Sequence, residues 1–236
     1  MPKLRLDKFL ADQGLASRKE LREIIRSGRV SVNGAVVTGA DWKLDPESDH
    51  VTFDGSPVSS SSVCTLMLHK PLGVVSATED KNEKTVLDLL PAAYRRMGLA
   101  PVGRLDKDTS GLLLLSNDGV FLHRVISPKS AVEKCYCATV DGEPGEEDVK
   151  AFCEGLLLRD GTRCLPAKLE PLGEGRCLVR VTEGKYHQVR RMLASRGFPV
   201  KELKRLSIGE LSLDEKLAPG EWKELAQEDL CRVFRT

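Results

Sequence analysis

The sequence contains no long apolar segment. Even its longest hydrophobic runs, such as Gly111 to Leu115, are far shorter than the roughly 20 residues that a membrane-spanning helix needs. The first ten residues, MPKLRLDKFL, also lack the apolar stretch of a secretory signal. We therefore expect a cytoplasmic protein without a membrane partner, with one large or two modest domains in its 236 residues.

Cysteine motifs and nucleotide-binding motifs are also missing. The seven cysteines are scattered and never form C-x-x-C, which excludes zinc ribbons, disulfide scaffolds and thioredoxin-like redox sites. No Walker A motif occurs, and no G-x-G-x-x-G follows a strand pattern, so a nucleotide cofactor has no support. Asp106 and Asp108 lack a third carboxylate or histidine at ligand spacing, so we expect no metal site there.

The charge is almost balanced overall but unevenly distributed. The net charge is +1, yet residues 1–36 carry eight Lys/Arg and four Asp/Glu, a net charge of +4. Residues 37–64 carry −4, and residues 185–205 carry +6. Two separate basic segments in a neutral chain indicate local binding of a polyanion such as nucleic acid. Solvated helix faces are the alternative interpretation.

The first 58 residues follow a pattern of two short helices and a small sheet. Apolar residues in segment 6–10 have helical spacing, and Ser17-Arg18-Lys19-Glu20 is a capping box that begins a second helix. Segment 30–37 alternates around an Asn-Gly pair, which predicts a β-hairpin, and residues 51–53 can add a strand.

The second predicted helix carries a stripe of arginines. Arg18, Arg22, Arg26 and Arg29 recur at helical spacing, and the stripe itself contains no acid, so it could lie on a phosphate backbone. A solubility face is the alternative, although such faces usually mix both signs of charge. The segment RLDKFLADQGLASRKELREIIRSGRVSVNGAVV closely resembles the S4-type RNA-binding domain. By that resemblance, the RNA contacts of this domain are Arg5, Arg18, Lys19, Arg22, Arg26 and Arg29.

A serine-rich linker at residues 59–63 separates this first domain, residues 1–58, from a second at residues 64–236. The second part mixes strand patterns at 66–69, 112–116, 135–140 and 177–181 with helix patterns at 120–126, 146–154 and 187–196. This mixture favours an α+β sheet domain over a doubly wound one. The basic first domain would then tether the second to its RNA.

Two polar loops of the second domain could carry chemistry. GRLDKDTSG leads into a buried strand pattern and displays Asp106 and Asp108. EGKYHQVRRM opens a helix with Arg190 and Arg191 in its early turns, where the helix dipole does not favour cations. Their position indicates an anionic partner, either a carboxylate or a phosphate. On the residues alone, a structural turn and a structural His187 remain the alternatives.

Four motifs occur in the order seen in pseudouridine synthases. They are KPLGVVS from Lys70, GRLDKDTSGLLLLSNDG from Gly103, EKCY from Glu133 and EGKYHQVRRM from Glu183. Together with the first domain, they make nearly the whole chain resemble the ribosomal small-subunit (RsuA-like) type of pseudouridine synthase. The resemblance implies an α+β catalytic domain with a large mixed, mainly antiparallel sheet. It also implies isomerisation of uridine to pseudouridine in RNA without a cofactor or metal.

The resemblance assigns roles to single residues. Asp106 is the catalytic aspartate, Tyr136 stacks on the target uracil, Arg190 pairs with the aspartate, and Leu203 packs beside the base. Lys70, Arg104, Lys185 and Arg191 are expected to contact RNA, with Asp108 and His187 in support. An ionised carboxylate suffices for the chemistry, as nucleophile or as base, and an arginine partner would keep it ionised. An aromatic platform offsets part of the cost of flipping the base out of its stack.

The RNA target is a narrower question. Segment 155–167, GLLLRDGTRCLPA, is similar to the small-subunit branch. We therefore expect a monomeric enzyme that acts on 16S ribosomal RNA within a small-subunit assembly particle, without a small-molecule substrate. Large-subunit (23S) ribosomal RNA and transfer RNA are the alternative substrates. Two other classes stay open: a non-catalytic RNA-binding assembly factor, and a glycosidase-like hydrolase that would use Asp106 and Asp108 as its carboxylate pair.

Overall fold

The computed structural model describes residues 3–46, 48–58 and 63–235. The chain divides into two compact units: Met1–Cys64 together with Leu87–Ala100, and Thr65–Val86 together with Pro101–Thr236. Segment Leu87–Ala100, which the sequence pattern places in the second domain, groups with the first unit. The domain boundaries themselves stay a prediction, and most of the predicted linker, residues 59–62, lies outside the described residues.

The first unit is built from short helices and two small sheets. Its elements are β1 (Leu4–Arg5), α1 (Leu6–Asp12), α2 (Arg18–Arg26), β2 (Val30–Val32), β3 (Ala35–Val36), β4 (Lys43–Leu44), β5 (Val51–Phe53), β6 (Ser56–Val58) and α3 (Ala92–Arg96). Strands β3-β2-β5-β6 form an antiparallel sheet, and β1 pairs with β4. The predicted hairpin and its third strand are therefore confirmed.

Local sequence signals account for these elements. Helix α2 begins with the predicted capping box: the Glu20 backbone N–H donates to Ser17 Oγ, and the Ser17 N–H donates to Glu20 Oε2 at 2.9 Å. Asn33 and Gly34 both have positive φ, of 51° and 81°, as the hairpin turn requires. The apolar sides of α1 and α2 face one core in which Leu10 and Leu21 are fully buried.

The second unit is organised around one large sheet. Its elements are β7 (Thr65–Lys70), β8 (Ala100–Pro101), β9 (Ser110–Ser116), α4 (Gly119–Ile126), β10 (Lys134–Val140), α5 (Glu146–Glu154), β11 (Lys168–Gly173), β12 (Arg176–Val181), α6 (Gln188–Ser195), β13 (Val200–Ile208), β14 (Leu211–Ser212), β15 (Trp222–Glu224) and α7 (Gln227–Arg232). Within the described residues, the sheet has nine strands in the order β11-β12-β10-β13-β9-β7-β15, with β14 beside β13 and β8 beside β9. The β13–β9 pair is parallel, and the pairs from β11 to β13 and from β9 to β15 are antiparallel. This confirms the expected α+β fold with a large mixed, mainly antiparallel sheet.

Strand β13 lies at the centre of this sheet, although its sequence, VKELKRLSI, shows no clear strand pattern. It pairs with β10 on one side and with β9 on the other. Its approach to β9 is unusually close, because a Cβ on Gly111 would lie 2.2 Å from the Arg205 carbonyl oxygen. Gly111 also has a φ of +108°, so glycine is required at this crossing.

Among the residues that the structure describes, two of the buried clusters pack against the sheet. One joins β10, β12 and β13 to α5 and α6, with Phe152 and Met192 fully buried. The other joins β7 and β9 to α4 and the end of the chain, with Leu112 and Leu114 fully buried. Helices in the described ranges reach nine residues at most, and none of them is long and apolar enough to cross a membrane.

Candidate active site

The loop that carries Asp106 lies between β8 and β9 and is fixed by the segment that follows β7. The Ser76 hydroxyl donates to the Leu105 carbonyl at 2.8 Å and accepts from the Leu105 N–H at 3.0 Å. The Gly73 N–H donates to the Lys107 carbonyl at 2.8 Å. The motifs KPLGVVS and GRLDKDTSG therefore form one structural element, in which the first segment holds the second on both sides of the aspartate.

Lys70 fixes the same loop from inside the protein, and its predicted contact with RNA stays a prediction. Its side chain is fully buried, and its ammonium donates to the carbonyls of Thr109 at 2.8 Å and Pro71 at 3.0 Å. Burial lowers the pKa of Lys70 to about 8, although the nearby charges of Asp106 and Asp108 act to raise it. Its two hydrogen bonds place the ammonium to hold the main chain beneath the aspartate.

Asp106 and Asp108 each pair with a different side chain, and Asp106 does not pair with Arg190 as expected. His187 Nε2 lies 3.3 Å from Asp106 Oδ1, whereas Arg190 Nη2 lies 3.1 Å from Asp108 Oδ2 and donates to the Asp108 carbonyl at 2.8 Å. The expected Arg190–Asp106 ion pair is therefore not the one that the structure forms. His187 precedes α6 and meets the first aspartate, while Arg190, one turn further along, meets the second.

The expected aromatic and apolar residues lie on two neighbouring strands. Tyr136 is on β10 and Leu203 on β13, and both line the cleft that contains Asp106 and His187. The cleft has a volume of about 1460 Å³, larger than the roughly 300–1,000 Å³ of a site for one small ligand. The structure therefore places Asp106, Tyr136 and Leu203 in one cavity, as the resemblance implied.

Sequence reasoning missed Arg205, which is buried beside Tyr136. Its Nε donates to the Leu112 carbonyl at 2.8 Å, and its Nη1 lies 3.4 Å from the Tyr136 hydroxyl. Its Nη2 is buried without a hydrogen-bond partner among the described residues, which leaves a donor with unmet capacity at the cleft. Recognition of β13 as a strand would have shown that Leu203 and Arg205, two residues apart, share a face.

Lys134 belongs to the EKCY motif but had no predicted role. It lies two residues before Tyr136 on β10 and also lines the cleft. Burial and the charge of Arg205 lower the pKa of Lys134 to about 8. The cleft thus combines a carboxylate with cations whose environment is partly desolvated.

The remaining predicted RNA contacts of this unit differ in exposure. Arg104 is exposed and lines the cleft, so it is available to a ligand. The Lys185 ammonium pairs with Glu183 and donates to the Arg163 carbonyl. Arg191 pairs with Asp160 and donates to the Tyr186 carbonyl. Lys185 and Arg191 therefore brace the loops around the cleft.

Two arginines of the predicted stripe, Arg18 and Arg22, converge with Arg5 on a buried acid. Asp7 is fully buried, and it pairs with Arg5 at 3.0 Å, Arg18 at 2.9 Å and Arg22 at 3.9 Å. These guanidinium groups stay about half exposed. Burial acts to raise the pKa of Asp7, but the hydrogen bonds from Arg5 and Arg18 outweigh it, so the pKa lies below its usual value. We call these three arginines with Asp7 the arginine cluster.

Acidic side chains pair with the arginines of the stripe, although the stripe itself contains no acid in the sequence. Besides Asp7, Glu23 pairs with Arg26 at 2.9 Å, and Asp54 pairs with Arg29. Glu23 is the i,i+3 neighbour of Arg26 on α2, so helical spacing could have revealed it. Asp7 lies on α1 and Asp54 follows β5, so the spacing within α2 did not reveal these two. The arginine cluster still has three cations around one carboxylate, whereas Arg26 and Arg29 each have an acid of their own.

Comparisons with known proteins agree with this architecture. Residues 65–195 match the family RNA pseudouridylate synthase, and residues 4–51 match the S4 domain. The chain is 43% identical to the RNA pseudouridine synthase YtzG of Bacillus subtilis over 231 residues, covering 96% of this chain and 97% of that protein. It is 41% identical to ribosomal small subunit pseudouridine synthase A of Yersinia pestis, covering 98% of each chain.

Two further matches extend over the same length. The identity to ribosomal small subunit pseudouridine synthase A of Escherichia coli is 40%, covering 98% of this chain and all of that one. A crystal structure of a pseudouridylate synthase superposes with a TM-score of 0.68 at 36% identity, covering 98% of this chain and 99% of that one. Because fold, motif order and full-length identity agree, the chain belongs to the RNA pseudouridylate synthase family, with an S4 domain at its N-terminal end.

Proposed function

We propose that this protein converts a uridine of 16S ribosomal RNA into pseudouridine. The observation that carries the proposal is its full-length similarity to ribosomal small subunit pseudouridine synthases, at 40–41% identity. The cleft that holds Asp106, Tyr136 and Leu203 supports it, because it combines a carboxylate with an aromatic ring and an apolar side chain.

The reaction needs little more than this set of groups. The bond between uracil N1 and ribose C1′ breaks, the base turns, and a bond forms between C5 and C1′. C5 loses its hydrogen and N1 gains one, so the atoms of uridine are conserved. In our proposal Asp106 acts as the nucleophile or as the base that begins a glycal route, and either role requires an ionised carboxylate.

The other residues have supporting roles in this proposal. Tyr136 stacks on the flipped uracil, and Leu203 packs beside it. Arg190 acts through Asp108: its contacts with the Asp108 side chain and carbonyl hold the loop that carries Asp106. His187 lies within reach of Asp106 and orients its side chain.

The first unit holds the RNA in this proposal. Its half-exposed arginines, oriented by Asp7, fit the phosphate backbone, where displacement of counterions drives binding. We propose a monomer as the active form. A ribosomal RNA substrate places the protein in the cytoplasm, and we propose a partly assembled small-subunit particle as its natural target.

The test is pseudouridine mapping with purified components. Wild-type protein and an Asp106→Asn variant are each incubated with unmodified 16S RNA, with partly assembled small-subunit particles, with 23S RNA and with transfer RNA. Carbodiimide adducts are then located by primer extension. We expect one new stop in 16S RNA with the wild type only, and a stronger signal from the particle than from free RNA.

Each other outcome changes the proposal in a defined way. A new stop only in 23S or transfer RNA keeps the activity and replaces the substrate. If neither protein produces a stop in any RNA although both bind 16S RNA, the protein is a binding factor. A stop produced equally by both proteins would remove Asp106 from the mechanism.

A further inference from the structure

Tyr186 is a large aromatic side chain left open to solvent at the edge of the cleft. It is 72% exposed and lies in the loop between β12 and α6. Its ring stacks on the imidazole of His187, with the ring centroids 3.9 Å apart and the planes inclined by 15°. One face of the tyrosine is thus covered by a flat polar ring, while most of its surface remains available to a ligand.

The loop that carries this stack is held before any ligand binds. Glu183 accepts hydrogen bonds from the Leu165 N–H and from Gln188 Nε2, and Gln188 Oε1 accepts from the Lys185 N–H. Arg191 donates to the Tyr186 carbonyl at 3.2 Å.

Backbone conformation adds to this fixation. His187 has a φ of +48°, a conformation that a non-glycine residue keeps only where its surroundings impose it. The tyrosine ring is therefore presented by a pre-ordered main chain, which reduces the entropy lost when a ligand stacks on it.

The stack is also connected to the catalytic aspartate. His187, which covers one face of Tyr186, has its Nε2 3.3 Å from Asp106 Oδ1. Both rings line the same cleft as Tyr136, which is on a different element. The cleft has more volume than one nucleoside needs, so a second base can occupy it while the target uracil lies on Tyr136.

We propose that Tyr186, backed by His187, is the stacking platform for an unpaired base next to the target uridine. The inference rests on the proposed function, since it needs a flipped uridine at Asp106. Flipping one base removes a stacking partner from its neighbour, and an exposed, pre-ordered aromatic ring replaces that partner. The occupant is a base of RNA because cations line the same cleft as the platform: Arg104 is exposed there and Lys134 also lines it.

The experiment combines a change in the protein with a change in the RNA. Full-length wild type, Tyr186→Ala and Tyr186→Trp are assayed for kcat/KM on the 16S substrate and on versions with an abasic residue on either side of the modified uridine. We expect Tyr186→Ala to lower kcat/KM about 10- to 100-fold on the intact RNA. Tyr186→Trp should stay within about threefold of the wild type.

The decisive result is non-additivity. Removing the base on one side should lower the wild-type rate by a similar factor but should leave Tyr186→Ala unchanged, because both changes remove the same stacking interaction. Leu172→Ala, which removes an exposed apolar side chain from β11 outside the cleft, is the matched control and should retain full activity. Unchanged activity of Tyr186→Ala, or independent losses at both flanking positions, would overturn the proposal.

A second readout does not depend on turnover. An oligoribonucleotide with 2-aminopurine beside the uridine loses fluorescence when that base stacks. We expect quenching with wild type and with Tyr186→Trp, but not with Tyr186→Ala at equal RNA occupancy. If the wild type forms no pseudouridine while this quenching depends on Tyr186, the proposed function fails, and Tyr186 stacks on a base of the RNA without a target uridine beside it. If pseudouridine forms and Tyr186→Ala quenches as the wild type does, the platform is wrong and the function stands.

Discussion

The two units place their positive charge in opposite ways. In the first unit, three half-exposed arginines surround the buried carboxylate of Asp7. In the second unit, Lys70 and Arg205 are buried and donate to main-chain carbonyls around the loop that carries Asp106. The first arrangement leaves cations exposed, where an external anion could reach them. The second uses cations to position a loop and to set the electrostatic field around its aspartate.

The difference shows that basic residues of one protein do not all have the same role in binding RNA. An exposed guanidinium displaces counterions when it meets a phosphate, so it contributes to affinity and to the salt dependence of binding. The buried ammonium of Lys70 donates to main-chain carbonyls, and these hydrogen bonds stabilise the conformation of the chain around it. Substitutions in the two units should therefore change different measured quantities.

Asp106→Asn is expected to produce the largest difference between the effect on turnover and the effect on RNA binding. We expect it to lower the single-turnover rate of pseudouridine formation by about 1,000-fold or more, because the amide can act neither as nucleophile nor as base. Binding of the RNA, measured by filter retention, should stay within a few fold. Asp141→Asn is the control, since Asp141 pairs with Lys201 on the surface, and it should retain full turnover. Comparable turnover of the Asp106 variant would overturn the mechanism.

The opposite result, weaker RNA binding with nearly unchanged turnover, is expected when Arg18, Arg22 and Arg26 are changed together to Ala. RNA binding should weaken about 10- to 100-fold, while kcat at saturating RNA stays within about twofold. The slope of log K against log salt should flatten by about 0.9 for each phosphate of duplex RNA that the variant no longer neutralises, and by about 0.7 on single strands.

The matched control for this triple variant is Arg95→Ala on α3, which removes a half-exposed arginine from outside the cluster. It should leave both the affinity and the salt slope unchanged. If the triple variant also keeps the wild-type slope, the stripe is a solubility face, and the contrast between the two units would not hold.

Lys70→Met tests whether the Lys70 ammonium only stabilises the fold or also contacts the RNA. The salt slope of binding should stay unchanged, in contrast to the arginine variants. The free energy of unfolding should fall by about 1–3 kcal/mol, because the carbonyls of Pro71 and Thr109 lose their donor. A slope that flattens as it would for one phosphate would instead show that this lysine reaches the RNA.

The pH dependence of stability offers a second check on Lys70. Its pKa is about 8 in the folded protein and 10.5 in the unfolded chain, so the unfolded chain binds more protons between these values. The stability of the wild type should therefore rise relative to Lys70→Met as the pH increases from about 8 to about 10.5. Urea unfolding at about pH 7.5 and about pH 10 measures the difference, and an equal response of both proteins would contradict the assignment.

Local signals in the sequence predicted local structure well. The capping box at Ser17 and the Asn-Gly hairpin are each confirmed, because a few neighbouring residues satisfy their hydrogen bonds and dihedral angles. The motifs also led to a cleft that holds Asp106 and Tyr136 together. Charge alone indicated a polyanion but could not identify the reaction, which came from the resemblance.

The features that escaped prediction depend on contacts between distant segments. Lys70 was expected to contact RNA by the resemblance, and its burial was not foreseen, because its acceptors, Pro71 and Thr109, come together only in the folded loop. Strand β13 alternates charged and apolar residues so irregularly that only its pairing with β10 and β9 defines it. Likewise, the partner of Arg190 was set by where the loop places Asp108, not by residue spacing.

The smallest expected effect, and the sharpest test of the arginine cluster, is Asp7→Asn. Removing the buried carboxylate should lower the free energy of unfolding by about 1–2 kcal/mol at about pH 7, because its partners are half exposed and water can solvate them. The pKa of Asp7 lies below its usual 3.8 in the folded protein, so this stabilisation is present above about pH 4. The difference between wild type and variant should therefore shrink as the pH falls below that value, as urea unfolding can measure. Glu23→Gln, which breaks the exposed pair with Arg26, should leave the stability unchanged.

Asp7→Asn also tests whether RNA affinity depends on the orientation of the arginines or only on the net positive charge of the unit. The substitution makes the unit more positive by one charge while it leaves Arg5, Arg18 and Arg22 in place. If affinity depends only on net charge, RNA should bind more tightly and with a steeper salt slope. If the carboxylate is needed to aim the guanidinium groups at phosphates, RNA should bind a few fold more weakly despite the added charge. We expect the second result, because Asp7 bonds directly to Arg5 and Arg18 and fixes their direction.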